Sequence, residues 1–270
     1  MDDIKDIVVL IPHYNNPEGL LKSVISVGDF DNRILILVVD DGSETKKIDK
    51  QELINSSKTS VDFLMLNKNS GIENALNHGL HYIQNNLKHI NFIARLDCDD
   101  ICINNRFEKQ YDFLKANRDI NFVGSNVRFV DLNRDLLFNL ILPTADSKIK
   151  RKMYFNAMFI HPAIFFRKEV LINSGLYPIN RKAAEDYAFF FNVIKRNKVA
   201  NIQENLVECI IDPDGISGKK RKQQVLSRIK VILDNFYFGY YPLVGLFRSF
   251  ILLFIPRKMI NYVKNRVSPD

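Results

Sequence analysis

Residues Asn91–Gln110, NFIARLDCDDICINNRFEKQ, end an apolar run in three carboxylates, Asp97, Asp99 and Asp100. Phe92, Ile93, Ala94 and Leu96 read as a buried strand, and open α/β sheets take their ligands where strands end. Carboxylates gathered at such an end repel one another unless a cation offsets them. Hard oxygen ligands suit Mg²⁺ or Mn²⁺, and an ion so held can clamp a diphosphate. Asp-x-Asp occurs three times in the chain, at Asp29/Asp31, Asp97/Asp99 and Asp212/Asp214. The first lies in a polar turn, and Asp212-Pro-Asp214-Gly215 carries turn chemistry. Only Asp97/Asp99 closes an apolar strand. The competing reading is an N-cap cluster for a helix starting near Asn104.

The elements that must position these acids are legible in the first 130 residues. Apolar runs at Ile7–Ile11, Ile34–Val39, Asp62–Leu66 and Phe92–Leu96 alternate with helix-like segments at Pro17–Val27, Thr45–Ser56, Ser70–Asn86 and Asn104–Ala116. Near-continuous apolar strands alternating with helices predict an α/β fold with a mostly parallel sheet covered on both faces. The first strand-to-helix turn lacks Gly-x-Gly-x-x-Gly, which disfavours a dinucleotide oxidoreductase. Beyond Val130 the pattern loosens. Phe122–Val130, Leu136–Leu142 and Ala163–Phe166 read as strands, Lys148–Lys152 as a basic patch, and Glu185–Arg196 as an amphipathic helix.

The chain has 270 residues, 46% hydrophobic and 26% charged, with a formal charge of +7. Its opening, MDDIKDIVVLIP, is acidic with a short apolar run and reads as no export signal. Cys98, Cys102 and Cys209 match no zinc spacing and read as reduced thiols of a cytoplasmic protein. The charge is uneven: residues 219–270 hold 11 Lys/Arg and 2 Asp/Glu, whereas residues 1–218 hold 27 and 29. Basicity confined to a tail argues against a nucleic-acid partner.

In order and spacing, VVLIPHYNNPEGLLKSVISV, ILVVDDGS, LNKNSGIENALNHGL, ARLDCDD with NRFEKQ, and HPAIFFRKEVL with SGLYP and AAEDYAFF resemble family 2 glycosyltransferases over about residues 6–200. The branch they resemble builds bacterial surface polysaccharides and lipopolysaccharide. The resemblance implies a GT-A-like nucleotide-binding sandwich using a nucleotide-diphosphate sugar and a divalent metal, Mn²⁺ or Mg²⁺. It implies that Pro12, His13, Tyr14 and Asn15 hold the nucleotide; His13 replaces the usual Val or Thr. Asp40 and Asp41 match acids contacting base and ribose, with Asp41 on the base. Asn69 and Gly71 match a loop beside the nucleotide. Asp99 matches the metal ligand, Asp97 a position near ribose and metal, and Asp186 the catalytic base.

The chemistry suits those residue types. A metal stabilises the leaving diphosphate, while a carboxylate on the opposite side takes the acceptor hydroxyl's proton. One face for departure and one for attack gives a single inverting displacement, by the logic of inverting glycosidases. Bland readings stand beside each residue: a capped turn for Asp40–Ser43, a first-turn acidic pair for Glu185-Asp186, and a structural role for His161. Arg95 and Arg106 either balance the acids or contact the diphosphate, and Asp100 could support the metal indirectly.

The expected organisation is a transferase domain over 1–218, with a nucleotide-sugar half at 1–130 and an acceptor half at 131–218, then a basic, apolar helical tail at 219–270. Within the tail, residues 235–256 (NFYFGYYPLVGLFRSFILLFIP) carry one charge, Arg248, with interruptions at Gly239, Pro242 and Gly245. Spanning a membrane is disfavoured. The expectation is a helix lying on the inner face of the cytoplasmic membrane; the alternative is a helix covering the sheet or making a homodimer. The expected activity is transfer of a hexose, UDP-linked, to a lipid-linked oligosaccharide acceptor. The rivals are a sugar-phosphate nucleotidyltransferase, which usually has a Gly-rich basic loop where Pro12–Gly19 has no Lys or Arg, and a non-catalytic sugar-nucleotide binder.

Overall fold

The computed structural model describes residues 5–212 and 221–254. Strands β1 (Ile7–His13), β2 (Ile34–Asp40), β3 (Ser60–Met65) and β4 (Phe92–Arg95) form a parallel half-sheet in the order β3-β2-β1-β4. Every residue of β1, β2 and β4 is buried. Side chains alternate between faces along a strand, so Val8, Leu10, Leu35 and Leu37 join one hydrophobic cluster while Ile7, Val9, Ile34 and Ile36 join the other. Full burial of each such aliphatic contributes about 1.5–3 kcal/mol. The first face is covered by α3 (Ile72–Asn86); the second by α1 (Pro17–Val27), α2 (Lys50–Ser56) and α4 (Arg106–Ala116).

Past β4 the sheet becomes mixed. Short β5 (Ile101–Cys102) is its far edge, and long β6 (Ile120–Val130) its organiser. β6 pairs antiparallel with β7 (Leu136–Leu140) and β8 (Phe165–Arg167), and parallel with β9 (Lys198–Ile210). β8 in turn pairs antiparallel with β4 and thereby splices the two halves. α5 (Asp146–Lys152), a 3₁₀ turn at His161–Ala163, α6 (Glu169–Ser174) and α7 (Glu185–Arg196) complete this half.

Several elements depart from the sequence expectation. α2 begins at Lys50, not Thr45, because Asp49 caps it through the Glu52 N–H, while the Thr45 and Lys46 N–H groups donate to Asn15 Oδ1 at 3.2 Å. β9 and α6 have no counterpart in the reading. The middle of β9 is polar and half-exposed, and its register with β6 shifts near Asn126, which breaks the alternation that marks a strand.

The tail, read as one helix over 235–256, is a hairpin of α8 (Arg221–Asp234) and α9 (Tyr240–Phe254), and residues 255 and 256 lie outside the described ones. Val231 and Ile232 of α8 enter the same cluster as α3 and α7. α9 buries small residues, Pro242, Gly245 and Ser249. A Cβ at Gly245 would lie 2.4 Å from the Tyr154 carbonyl oxygen, so only glycine permits this approach. No helix among the described residues is long and apolar enough to cross a membrane.

Candidate active site

The carboxyl ends of the parallel strands are laced together by buried polar side chains. His13 ends β1 opposite Asp40, which ends β2. The Asn16 N–H donates to His13 Nε2 at 3.0 Å, so the ring proton sits on Nδ1 and donates to Asp40 Oδ1 at 2.7 Å. Asp40 also accepts from the Ser43 hydroxyl at 2.5 Å and the Ser43 N–H at 3.1 Å, and the Ser43 hydroxyl accepts from the Asn15 N–H at 2.8 Å. His13 and Asp40 are both buried. The side chain that departs from the family pattern is therefore a pin between two loops.

Asp41 secures the third loop. Its Oδ1 accepts from the Ser70 N–H at 2.9 Å and hydroxyl at 3.0 Å, and its Oδ2 from the Gly71 N–H at 2.9 Å. Gly71 has φ +96° and opens α3. Asp40, expected on base and ribose, is buried and engages both carboxylate oxygens inside the protein. Asp41 is likewise buried and accepts three bonds from the loop that it orders. Tyr14 and Asn69 are exposed on the rim, Pro12 is buried beneath it, and Asn15 is held at φ +50°. A cavity of about 270 Å³ lined by Met65, Leu66, Asn67, Lys68, Ser70 and His78 opens beside this rim.

After β4 the chain makes a tight turn, with Asp99 at φ +76°. Asp97 Oδ1 accepts from Arg95 Nη2 at 2.6 Å, and Asp99 Oδ2 accepts from Asn16 Nδ2 at 2.6 Å. The Ser23 hydroxyl lies 3.0 and 2.9 Å from the Asp97 and Asp100 carbonyls, bracing the turn on α1. Asp100 does not join the other two. It is buried, accepts from the Ile210 N–H at 3.2 Å, and meets the Cys209 thiol; burial, then the Asp97 charge, pushes its pKa well up. The cap reading fails as well, because α4 starts at Arg106 and is preceded by Asn105 in a left-handed conformation with no side-chain cap.

Among the described residues no three His, Cys, Asp or Glu converge on a metal-sized site. Asp97, whose side chain is one-third exposed, and Asp99 each keep one oxygen uncommitted by these bonds. Two carboxylates without a cage fit Mg²⁺ or Mn²⁺ that is shared with substrate phosphates.

Both arginines flanking the acids turn inward. Arg95 is buried, spending Nη1 on the Leu96 carbonyl at 2.6 Å and Nη2 on Asp97. Its contact with Asp97 balances that charge. Arg106 donates to Gln110 and to the Arg95 and Ile164 carbonyls, a strut joining β4 to the strand that splices the halves.

The opposite wall is the start of α7. Ala183 has φ +60°, and Glu185 and Asp186 occupy the first helical turn. Asp186 Oδ1 accepts from the Tyr187 N–H at 2.6 Å. Its pKa is raised, chiefly by burial, and the Asp97 charge adds to the rise while Arg228 opposes it. Burial, then Asp186, lifts Glu185 to about 7. Behind them His161 Nε2 lies 2.8 Å from the Tyr177 hydroxyl. Burial and then Arg95 hold His161 well below the usual imidazole value, and burial raises the Tyr177 phenol. Asn77 of α3 grips the Tyr177 backbone through both its N–H and C=O at 2.9 Å, tying this wall to the parallel half-sheet. Sequence reasoning missed Asn16, Ser23, Ser70 and Tyr177, and read Ser43 only as part of a capped turn. Only Asn16, followed by Pro17 and Glu18, carried a local signal, that of a helix start.

A parallel half-sheet whose laced loops face an acidic turn, closed by a mixed half-sheet carrying a second acidic pair, is the GT-A architecture. S. aureus TarS superposes with a TM-score of 0.65 at 17% identity, covering 97% of this chain and 46% of the full TarS chain. TarS 1–349 in complex with UDP gives 0.63 at 18% identity, covering 92% and 69%. The Glycosyl transferase family 2 model matches residues 8–175, and the chain belongs to that family: it is a glycosyltransferase. It is 26% identical over 265 residues to the amylovoran biosynthesis glycosyltransferase AmsE of Erwinia amylovora, covering 94% of this chain and 96% of AmsE. It is 25% identical to the UDP-Gal:alpha-D-GlcNAc-diphosphoundecaprenol beta-1,3-galactosyltransferase of Escherichia coli, covering 98% of both.

Proposed function

We propose that the protein transfers a hexose with inversion from a UDP-sugar to a lipid-linked saccharide during surface-polysaccharide synthesis at the inner face of the cytoplasmic membrane. The observation that carries this reading is the Asp97/Asp99 turn at the carboxyl end of β4, joined through Asn16 to the laced loops of the parallel half-sheet in a chain of this family; burial makes Asp186, at the start of α7, the candidate proton acceptor. Asp186 takes the acceptor hydroxyl's proton as that oxygen attacks the anomeric carbon. The laced loops around Asp41, Ser70, Gly71 and Asn69 seat the nucleotide, and His13, with Asp40, positions Asn15. Asp97 and Asp99 would hold a divalent metal, which supplies charge neutralisation at the departing diphosphate when bound. Arg95 keeps Asp97 aimed at the cleft.

The acceptor class follows from a relative, whose name specifies a diphosphoundecaprenol acceptor over nearly the full length of both chains. The UDP-bound TarS structure supports a uridine donor. The reading is tested by titrating UDP-glucose, UDP-galactose and their N-acetyl forms with and without Mn²⁺. Metal-dependent binding and slow hydrolysis of one donor are expected. Metal-independent binding of all of them with no turnover would leave a sugar-nucleotide binder.

A further inference from the structure

Two arginines of the C-terminal hairpin have no ligand assigned above, although the Arg228 charge acts on Asp186. Arg248 Nη1 donates to the Phe155 carbonyl at 3.0 Å. Arg228 Nη2 lies 3.5 Å from the same carbonyl and donates to Asn156 Oδ1 at 2.9 Å. Two guanidinium groups thus gather around one oxygen. Among the described residues neither has a carboxylate within ion-pair distance. Like charges held together are unfavourable unless an anion joins them, and a planar guanidinium presents the donor fork that phosphate oxygens match.

Position gives the pair its meaning. The Arg228 guanidinium lies 4.7 Å over the Tyr187 ring, the residue after Asp186. The pair therefore stands beside the acceptor wall. The outer face of α9 is apolar, with Tyr240, Leu243, Phe247, Phe250 and Phe254 all exposed, while its small residues face the protein. A helix that packs on a globular core usually buries its large side chains and exposes its small or charged ones. This one does the reverse. Residues 219–270 carry nine more positive than negative charges, which repels a second copy and attracts an anionic, apolar partner.

We propose that Arg228 and Arg248 bind the diphosphate of the lipid-linked acceptor, whose hydrocarbon chain lies along the exposed face of α9. This rests on the lipid-linked acceptor proposed above and assigns it a site. The saccharide attached to that diphosphate is then delivered to Asp186 from the α8 side, opposite the donor.

The test uses the full chain saturated with UDP, so that the donor site is filled, and titrates farnesyl diphosphate by calorimetry. The wild type is expected to bind it at least tenfold more tightly than the Arg228→Gln/Arg248→Gln variant, and tenfold more tightly than inorganic pyrophosphate. Farnesol should bind far more weakly. Equal affinity of the double variant overturns the proposal, and so does phosphatidylglycerol in vesicles displacing farnesyl diphosphate at equal phosphate concentration. Arg248→Gln alone changes an exposed side chain and should lose threefold or more; no loss in a stably folded Arg248→Gln protein is equally adverse. UDP affinity, measured first, separates the two readings. If UDP fails to bind wild type, the transferase reading falls, while an arginine-dependent farnesyl diphosphate affinity still stands.

Discussion

The two walls of the cleft use the same residue type in opposite ways. On the parallel half-sheet, Asp40, Asp41, Asp97 and Asp99 are each engaged by N–H, O–H or guanidinium donors. On the α7 wall, Glu185 and Asp186 have no cationic partner within ion-pair distance, and burial raises both pKa values. Donors hold the first set in place, while Asp97 and Asp99 each keep one oxygen for a ligand. The second stores affinity for a proton. A cleft that binds with one wall and accepts protons with the other needs this asymmetry, because a carboxylate saturated with donors is a poor base.

The sharpest way to break the comparison is Asp186→Asn, which keeps shape and removes the proton acceptor. Transfer is expected to fall about 10²–10⁴-fold, with UDP affinity within twofold by calorimetry; full activity would remove Asp186 as the base. Next is Asp99→Asn, chosen because asparagine tolerates the left-handed backbone. Metal-dependent UDP binding is expected to weaken by about ten- to a hundredfold, and the gain from adding Mn²⁺ should disappear.

Removing the pin tests whether the donor wall is structural. His13→Ala strands Asp40 in a buried site, at a cost of about 1–3 kcal/mol. The thermal midpoint should drop by several degrees, and the KM for donor should rise more than kcat falls. The smallest effect sharpens the other wall. Because the folded protein raises Glu185 from 4.5 to about 7, it binds more protons than the unfolded chain in that window. The stabilisation this provides is full below pH 4.5 and fades as pH rises towards 7. The wild-type midpoint should therefore gain on the order of a few degrees between pH 7.5 and 5.5. Glu185→Gln should flatten that slope; an unchanged slope would assign it to other groups.

Legibility followed the same divide. β1, β2 and β4 are buried on both faces, so their apolar runs announced them, and each run ended in the polar residues of a loop. β9 was invisible because half of it is solvated and bulged. The acids of the site were visible by motif and the resemblance implied a role for each, but the donors that hold them were not legible. Asp100, read as an indirect support of the metal, turns under β9 to meet Ile210 and Cys209. His13 looked like a substitution of unclear purpose until Asp40 and the Asn16 N–H were found on its two nitrogens.

The order of residue types along the chain determined which fold class was available and where its ligand-binding end must lie. Hydrophobic periodicity and turn chemistry act between near neighbours, so they can be read in one dimension. Which carboxylate holds a loop, which awaits a proton and which arginines gather around a single carbonyl were decided only by packing. Burial and donor count belong to the neighbours that β4, α7 and the terminal hairpin bring together from distant parts of the chain.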